Sequence, residues 1–340
     1  MKKLVQQFSH EFEAVVKETK QLGKPWELAE IMCSENSPLT QQMLQLGKKA
    51  FRFGLAQGDL SQSSGRRELF QMMARHRPRH TWYSPTCGPW SAWSQLNSAR
   101  SMQHYEEYQR KRRDLLYQVA LGITLYRFQI SQGNHFHWEQ PKRSLMFQSQ
   151  HIAEVHEHTQ ACQFDMCRAG DLKDPEAGMP MQKGMTVLTS FAPLFQKLHG
   201  LCCDHRHQHQ PIEGSCRLRN HHSILRTQFT EIYPGKFARN VPITLAKGSG
   251  CWPYNWRAGM ICFAKSELND HSEEDAMVAT KFRNQPKFPK SAITTPTARV
   301  PAGTKRSKRD SQQGSAPTLE MCKEVLKKST RIYQGWVKGK

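Results

Sequence analysis

Short apolar segments alternate with helical ones across residues 26–189, and this alternation restricts the fold more than any other feature of the chain. Apolar runs at 26–33, 50–55 and 80–83 have the length and composition of strands. Between them, Ser37-Pro38-Leu39-Thr40 opens a short helix that ends near Gly47, and Ser63 or Ser64 caps a helix carrying Leu69, Phe70, Met72 and Met73. A long helix over 104–132 presents Leu115, Val119, Ile123, Tyr126 and Ile130 as one core-facing stripe. Strands at 134–138, 161–167 and 185–189 and helices at 149–160 and 191–199 continue the pattern. Strands alternating with helices predict an α/β fold with a doubly wound, mostly parallel, Rossmann-like sheet. Upstream, residues 1–24 carry Leu4, Phe8, Phe12 and Val15 at helical spacing and predict an amphipathic helix.

Ligands of such sheets bind beyond the carboxyl ends of the strands. Two residues of catalytic type fall there. Cys87 lies in a tight turn between Pro85 and Pro89, next to Gly88 and ahead of a helix. An exposed thiol at the positive end of a helix ionises more easily and can attack an electrophilic carbon; a small buried apolar Cys is the alternative. Glu139 follows Trp138 and precedes Pro141. A carboxyl beside an aromatic strand end has a raised pKa and can act as an acid; an exposed Glu at a strand exit is the alternative. Trp82, Trp90 and Trp93 surround the Cys87 loop as core or as stacking groups. Lys111, Arg112 and Arg113 lie on the polar side of the long helix, as a solvated face or as nucleic-acid contacts.

Cysteines stand at positions 33, 87, 162, 167, 202, 203, 216, 251, 262 and 322. Residues 1–7 lack the apolar stretch of a signal peptide and no run of apolar residues is long enough for a membrane span, so an intracellular chain without disulfides is expected, the nucleus being one candidate compartment. Cys203-Asp204-His205-Arg206-His207-Gln208-His209 gathers imidazoles and a thiol in one short stretch. Tetrahedral zinc takes four N or S ligands, and Cys167, Cys203, His207 and His209 are the expected set. A basic loop touching phosphate is the other reading.

The net charge is +20, and residues 276–340 hold 15 Lys and Arg against 3 Asp and Glu. That imbalance points to a polyanionic partner, nucleic acid and DNA above all. The expected organisation is a helix over 1–25, an α/β domain over 26–200, a Cys/His-rich extension over 201–262 that completes the fold, and a basic, disordered tail over 263–340 with a helix at 318–333.

Several motifs in order resemble the DNA cytosine-5 methyltransferases, in particular a viral and phage-like branch found in mobile elements. The nucleophile loop of that family, Pro-Pro-Cys with a following Ser, stands here as Ser84-Pro85-Thr86-Cys87-Gly88-Pro89-Trp90-Ser91. Its Glu-Asn-Val or Glu-Asn-Pro stands as Glu139-Gln140-Pro141. Cys167-Arg168-Ala169-Gly170 and Lys183-Gly184-Met185-Thr186-Val187-Leu188-Thr189-Ser190 match a Cys-x-x-Gly segment and the strand after it. The resemblance implies a sheet of the methyltransferase type and S-adenosylmethionine as cofactor. It makes Cys87 the nucleophile at carbon 6 of cytosine and Glu139 the acid on the ring nitrogen, and it puts cofactor contacts at Cys33, Ser34, Asp59 and Pro85. The chain departs from the family where Glu30-Ile31-Met32-Cys33-Ser34-Glu35-Asn36-Ser37 replaces a glycine-rich loop, and no Gln-x-Arg-x-Arg motif is recognisable. Two readings therefore stand: a methyltransferase-like protein, active or inactive, and a non-enzymatic zinc-containing nucleic-acid-binding protein of a mobile element. A thiol hydrolase pairing Cys87 with a His is a third.

Overall fold

The structure, a computed structural model, describes residues 1–218 and 222–248. The chain divides into two units, Met1–Phe263 and Ala264–Lys340. Every described residue belongs to the first. The basic tail, the expected helix at 318–333 and Cys251, Cys262 and Cys322 lie outside the described residues.

In chain order the elements are α1 (Lys2–Glu18), β1 (Leu28–Ile31), α2 (Pro38–Gln45), β2 (Ala50–Phe53), α3 (Ser63–His76), β3 (His80–Tyr83), α4 (Ala92–Ser98), α5 (Met102–Asp114), α6 (Leu116–Ser131) and β4 (His135–Pro141). Then come α7 (Ala153–Glu157), β5 (Gln160–Asp165), α8 (Met166–Ala169), β6 (Gly184–Thr189), α9 (Ala192–Leu198), β7 (Ser215–Arg217), β8 (Ser223–Leu225), α10 (Arg226–Phe229) and α11 (Gly235–Lys247). Six strands form one sheet in the order β2-β1-β3-β4-β6-β5. Pairing is parallel from β2 to β4, and β6 runs antiparallel to both β4 and β5. The fold is a mostly parallel, Rossmann-like α/β sheet with helices on both faces.

Two apolar layers follow from the alternation of side chains along the strands. On one face Tyr83, Phe136 and Trp138 meet α6, and α6 in turn meets α1, which also packs on α3. The amphipathic α1 buries Val5, Phe8, Phe12 and Val15. Phe12 stacks on Phe70 with ring centroids 4.3 Å apart, and Glu11 accepts a 2.9 Å bond from Arg66. Because α1 covers its outer side, α6 is buried nearly all round, where the sequence predicts a single stripe. Gly122 permits that packing: a Cβ there would lie 2.6 Å from Trp138 Cη2. On the other face, α2, α9 and α11 cover Leu28, Trp82, Phe164, Val187 and Phe191.

Several boundaries differ from the sequence expectation. The long helix at 104–132 is two helices that break at Leu115, whose φ of −100° and ψ of 6° leave the helical region. The run at 161–167 stops as a strand at Asp165, and Met166–Ala169 turn helical. The helix expected at 149–160 contracts to a short 3₁₀ turn and α7. Ser63 sits inside α3, and Gln62 is the cap residue. The sequence expectation places no element at the hairpin β7–β8 or at α11, although α11 buries Phe237, Ala238, Val241, Pro242 and Leu245 at helical spacing.

Candidate functional site

Register brings Cys87 and Glu139 to one end of the sheet. Tyr83, the last residue of β3, pairs with Trp138 of β4, so Ser84 leaves the sheet beside Glu139, which stays in β4 and pairs with Val187 of β6. Gln140 locks the two chain segments together. Its Nε2 donates to Pro85 O at 2.8 Å, and its Oε1 accepts from Ser144 Oγ at 3.0 Å. Gln118 on α6 grips the next residue of the loop. Its Oε1 accepts from the Thr86 N–H at 3.0 Å, and its Nε2 donates to Thr86 Oγ1 at 3.2 Å. The Cys87 loop is thus fixed from two sides before any ligand arrives.

Alternation puts His80, Trp82 and Ser84 on the same face as His135, His137 and Glu139. Trp138 faces the opposite layer, against Tyr83 and Phe136. The Glu139 carboxyl is buried and its pKa is raised, as the sequence suggests, but the cause is burial rather than Trp138. Lys183, at the entry to β6, Ser84 and Tyr233 oppose that rise, and the buried Glu30 adds to it. Tyr233 Oη donates to Glu139 Oε2 at 3.2 Å. Cys87 departs from the expectation of an easily ionised thiol. Burial pushes its pKa up, Lys183 lowers it, and the carboxylates of Glu139 and Glu231 raise it further. The turn that follows, Gly88–Trp90, is a short 3₁₀ segment, and α4 begins only at Ala92. The helix dipole therefore has little hold on the sulfur. Tyr233 and Glu231 carry no motif, and sequence reasoning missed both; Lys183 stands in a matched segment, but its place beside Cys87 and Glu139 was not expected.

Cys33, Ser34, Asp59 and Pro85, the four residues that the resemblance assigns to a cofactor, lie beyond the ends of three adjacent strands, β2, β1 and β3. Met32, directly after β1, has φ = 62°. The backbone thus takes the left-handed turn that favours glycine, without glycine. Cys33 is half-buried, its thiol donates to Glu30 O at 3.4 Å, and burial pushes its pKa up to about 12. Ser34 is exposed. Glu30 is unavailable as a ligand group. It caps α2 by accepting from Ser37 Oγ, from Thr40 N–H at 3.1 Å and from Thr40 Oγ1 at 2.6 Å. Asp59 is exposed, and one of its oxygens accepts from the Ser61 N–H at 2.9 Å. Pro85 is buried, with its carbonyl taken by Gln140. These residues share one edge of the sheet but make no mutual hydrogen bond among the described contacts.

The Cys/His set converges. The ligand atoms of Cys167, Cys203, His207 and His209 all lie within 4.8 Å of one another, and the cluster can hold a metal ion. Cys203 Sγ is 3.6 Å from His207 Nε2 and 3.3 Å from His209 Nε2. Ligands on a tetrahedral ion with zinc-like bond lengths stand roughly 3.5 Å apart. Without a cation the thiols oppose each other's ionisation: burial and the adjacent Cys203 push Cys167 up to about 12. Burial and the neighbouring His207 and His205 hold His209 low, which keeps a lone pair free. Around the ligands, Cys203 N–H donates to Asp165 Oδ2 at 2.8 Å and His205 N–H donates to Cys203 Sγ at 3.3 Å. The cluster ties a loop without helix or strand, residues 199–214, to the end of β5 and to α8.

Of the three tryptophans, Trp82 and Trp90 are buried and Trp93 on α4 is 75% exposed. Arg112 on α5 stacks over Trp90 at 4.6 Å, whereas Lys111 pairs with Glu107 at 3.3 Å. Among the described residues, no helix is long and apolar enough to cross a membrane. No model of a known protein family matches the chain, and no curated protein or solved structure does either.

Proposed function

We propose that the chain is a methyltransferase-like protein acting on DNA, with Cys87 as nucleophile and Glu139 as acid. One observation carries the reading: a thiol loop and a buried carboxyl, on separate strands, are fastened together by the Gln140–Pro85 bond at the carboxyl edge of a doubly wound sheet. The reversed strand β6, set between two strands that share the opposite direction, also suits a methyltransferase-type sheet.

The chemistry divides among the chain's own groups. Burial favours the protonated form of Glu139, which can give its proton or a hydrogen bond to a ring nitrogen and make the ring a better electrophile. Cys87 Sγ then adds to carbon 6. Its thiol has to lose a proton first, and Lys183 is the cation that favours this. A flipped base is required, since neither group can reach a stacked one. S-adenosylmethionine, when bound, supplies the methyl group for carbon 5; Met32, Cys33, Ser34, Asp59 and Pro85 would line its place, with Asp59 as the exposed carboxylate for a ribose. Zinc is the metal we assign to Cys167, Cys203, His207 and His209, in a structural role, because all four ligands come from the protein.

Calorimetric titration with S-adenosylmethionine tests the reading. We expect saturable binding that weakens in Asp59→Ala. The raised thiol pKa of Cys87 and the exposed Trp93 favour a second reading, a zinc-containing nucleic-acid-binding module without activity. That reading gains if the titration shows no heat while the protein still retains labelled DNA in a salt-dependent way.

A further inference from the structure

The segment between α10 and α11 reaches back over the strand ends and touches the acid. The Tyr233 hydroxyl lies 3.2 Å from Glu139 Oε2, 3.0 Å from Trp82 Nε1 and 3.0 Å from Ser84 Oγ. The proton inventory of this group is restrictive. Trp82 can only donate, so it occupies one lone pair of the Tyr233 oxygen. An ionised Glu139 can only accept, so it takes the Tyr233 proton, and Ser84 then donates to the second lone pair. When Glu139 is protonated, its O–H can donate to Tyr233, and the Tyr233 proton turns to Ser84. Every group is satisfied in both states, and the same oxygen of Glu139 is held throughout.

We propose that Tyr233 is the positioning residue for Glu139, holding one carboxyl oxygen in place while the acid gives up and regains its proton. The proposal rests on the reading of Glu139 as an acid. Tyr233 is itself held from three directions. Its ring packs on Phe237 at 5.3 Å and edge-on to Trp82 at 6.2 Å. Lys183 Nζ donates to Thr230 O at 2.6 Å, which anchors the segment upstream. Gly170, at the end of α8, lets Pro234 approach: a Cβ there would lie 3.0 Å from Pro234 Cγ and 3.2 Å from Phe237 Cβ. The charged and titratable groups facing Glu139 are Lys183 from the entry to β6, Glu30 from β1, Cys87 from the loop after β3, and Tyr233; Glu231 faces Cys87. Tyr233 is the neutral member that adjusts to either charge state. Its own pKa is raised well above the ordinary value, by burial first and then by Glu139, so it stays a donor across the working range.

The test reads Glu139 directly, with neither cofactor nor DNA present, so it stands apart from whether Cys87 forms an adduct. Glutamate labelled at the carboxyl carbon is titrated by NMR in the full-length protein, and Glu139→Gln identifies the signal. Tyr233→Phe keeps the ring and removes only the donor. We expect the Glu139 midpoint to rise by about one pH unit, because a hydrogen bond that favours the ionised form is lost. Gly170→Ala, which displaces Pro234 without touching the hydroxyl, should raise it in the same direction by less. A purely structural Tyr233 would lower the melting temperature and leave the midpoint in place; a folded Tyr233→Phe with an unchanged midpoint overturns the proposal. If that variant does not fold, 3-fluorotyrosine at position 233 decides. Its ¹⁹F shift should step with the Glu139 midpoint and lose that step in Glu139→Gln, and a shift indifferent to Glu139→Gln rejects the proposal.

Discussion

The strand-end site and the Cys/His loop are both built from titratable side chains, yet they are held in opposite ways. Around Cys87 and Glu139, position comes from sheet register and from neutral hydrogen bonds by Gln140, Gln118 and Tyr233. The scaffold is complete without a ligand, and it keeps a carboxyl where burial works against its charge. Around Cys203 no regular element does that work. Residues 199–214 have neither helix nor strand, and their Cys203, His207 and His209 converge with Cys167, the ligand atoms within 4.8 Å of one another, an arrangement that can hold a cation. A preformed site pays in charge burial, whereas a metal site trades that cost for dependence on the ion.

Removing the metal should separate the two regions most sharply. Chelation, or Cys203→Ala, should cost about 3–5 kcal/mol of stability, read as a fall in the denaturant midpoint, because the ion is the staple of a loop without a core. The alkylation rate of Cys87 should hardly change. If both regions respond together, the contrast fails.

Acid tests the sheet below the strand-end site. His80 and His137 are fully buried, with His80 Nδ1 3.1 Å from His137 Nε2 and His137 Nδ1 2.8 Å from Thr189 Oγ1. Burial, and then neighbouring imidazoles, hold both well below the ordinary histidine value. A depressed folded pKa means that the unfolded chain binds protons first. Stability should therefore be full above about pH 6.5 and fall below it by roughly 1.4 kcal/mol per histidine per pH unit. Metal-free protein gives the clean measurement, since the loop ligands then contribute no proton competition of their own. A flat stability between pH 6.5 and 5.5 would show that these imidazoles charge inside the fold.

Glu139→Gln has the opposite sign. The folded pKa of Glu139 is raised, so the folded state binds its proton more tightly than the unfolded one. Stability from this group is greatest below about pH 4.3 and is lost as pH rises through the folded value. The neutral amide should stabilise the protein by about 1 kcal/mol at pH 7.5 and by nearly nothing at pH 4. A destabilised Glu139→Gln at pH 7.5 would mean that the carboxylate contributes more through its hydrogen bonds than burial costs.

The smallest effect belongs to Met32→Gly. Relief of the left-handed backbone is worth about 1 kcal/mol, and glycine's added freedom in the unfolded chain returns a similar amount. We expect a change within about 0.5 kcal/mol in urea unfolding. A loss several times larger would mean that the half-buried side chain, rather than the backbone turn, defines that strand end.

Much of this was legible in the sequence because short-range patterns carried it. Strand alternation, the stripe on α6 and the face of α1 are local, and the Cys87 loop and the three close ligands of the metal cluster sit in compact stretches. Cys167 joins them through the short α8 after β5, a position that its spacing alone did not dictate. The reversed strand β6 was not legible, since a strand of Met, Val, Leu and Thr reads alike in either direction. Tyr233 was not legible either, and Lys183 was legible as part of a motif match but not as a neighbour of Glu139. Both roles come from a fold that carries distant segments to the same strand ends. The glycine-rich loop is the opposite case: its motif is missing, and Met32 makes the turn all the same.

The central claim is that Cys87 and Glu139 act together on a cytosine ring. DNA carrying 5-fluorocytosine, incubated with the protein and S-adenosylmethionine, tests it most directly, since fluorine at carbon 5 blocks the final proton loss and leaves the sulfur bonded to carbon 6. The account predicts a covalent protein–DNA product whose mass spectrum places the bond on Cys87, absent in Cys87→Ser and strongly reduced in Glu139→Gln. Protein that binds both the cofactor and the DNA yet forms no adduct at Cys87 would contradict it.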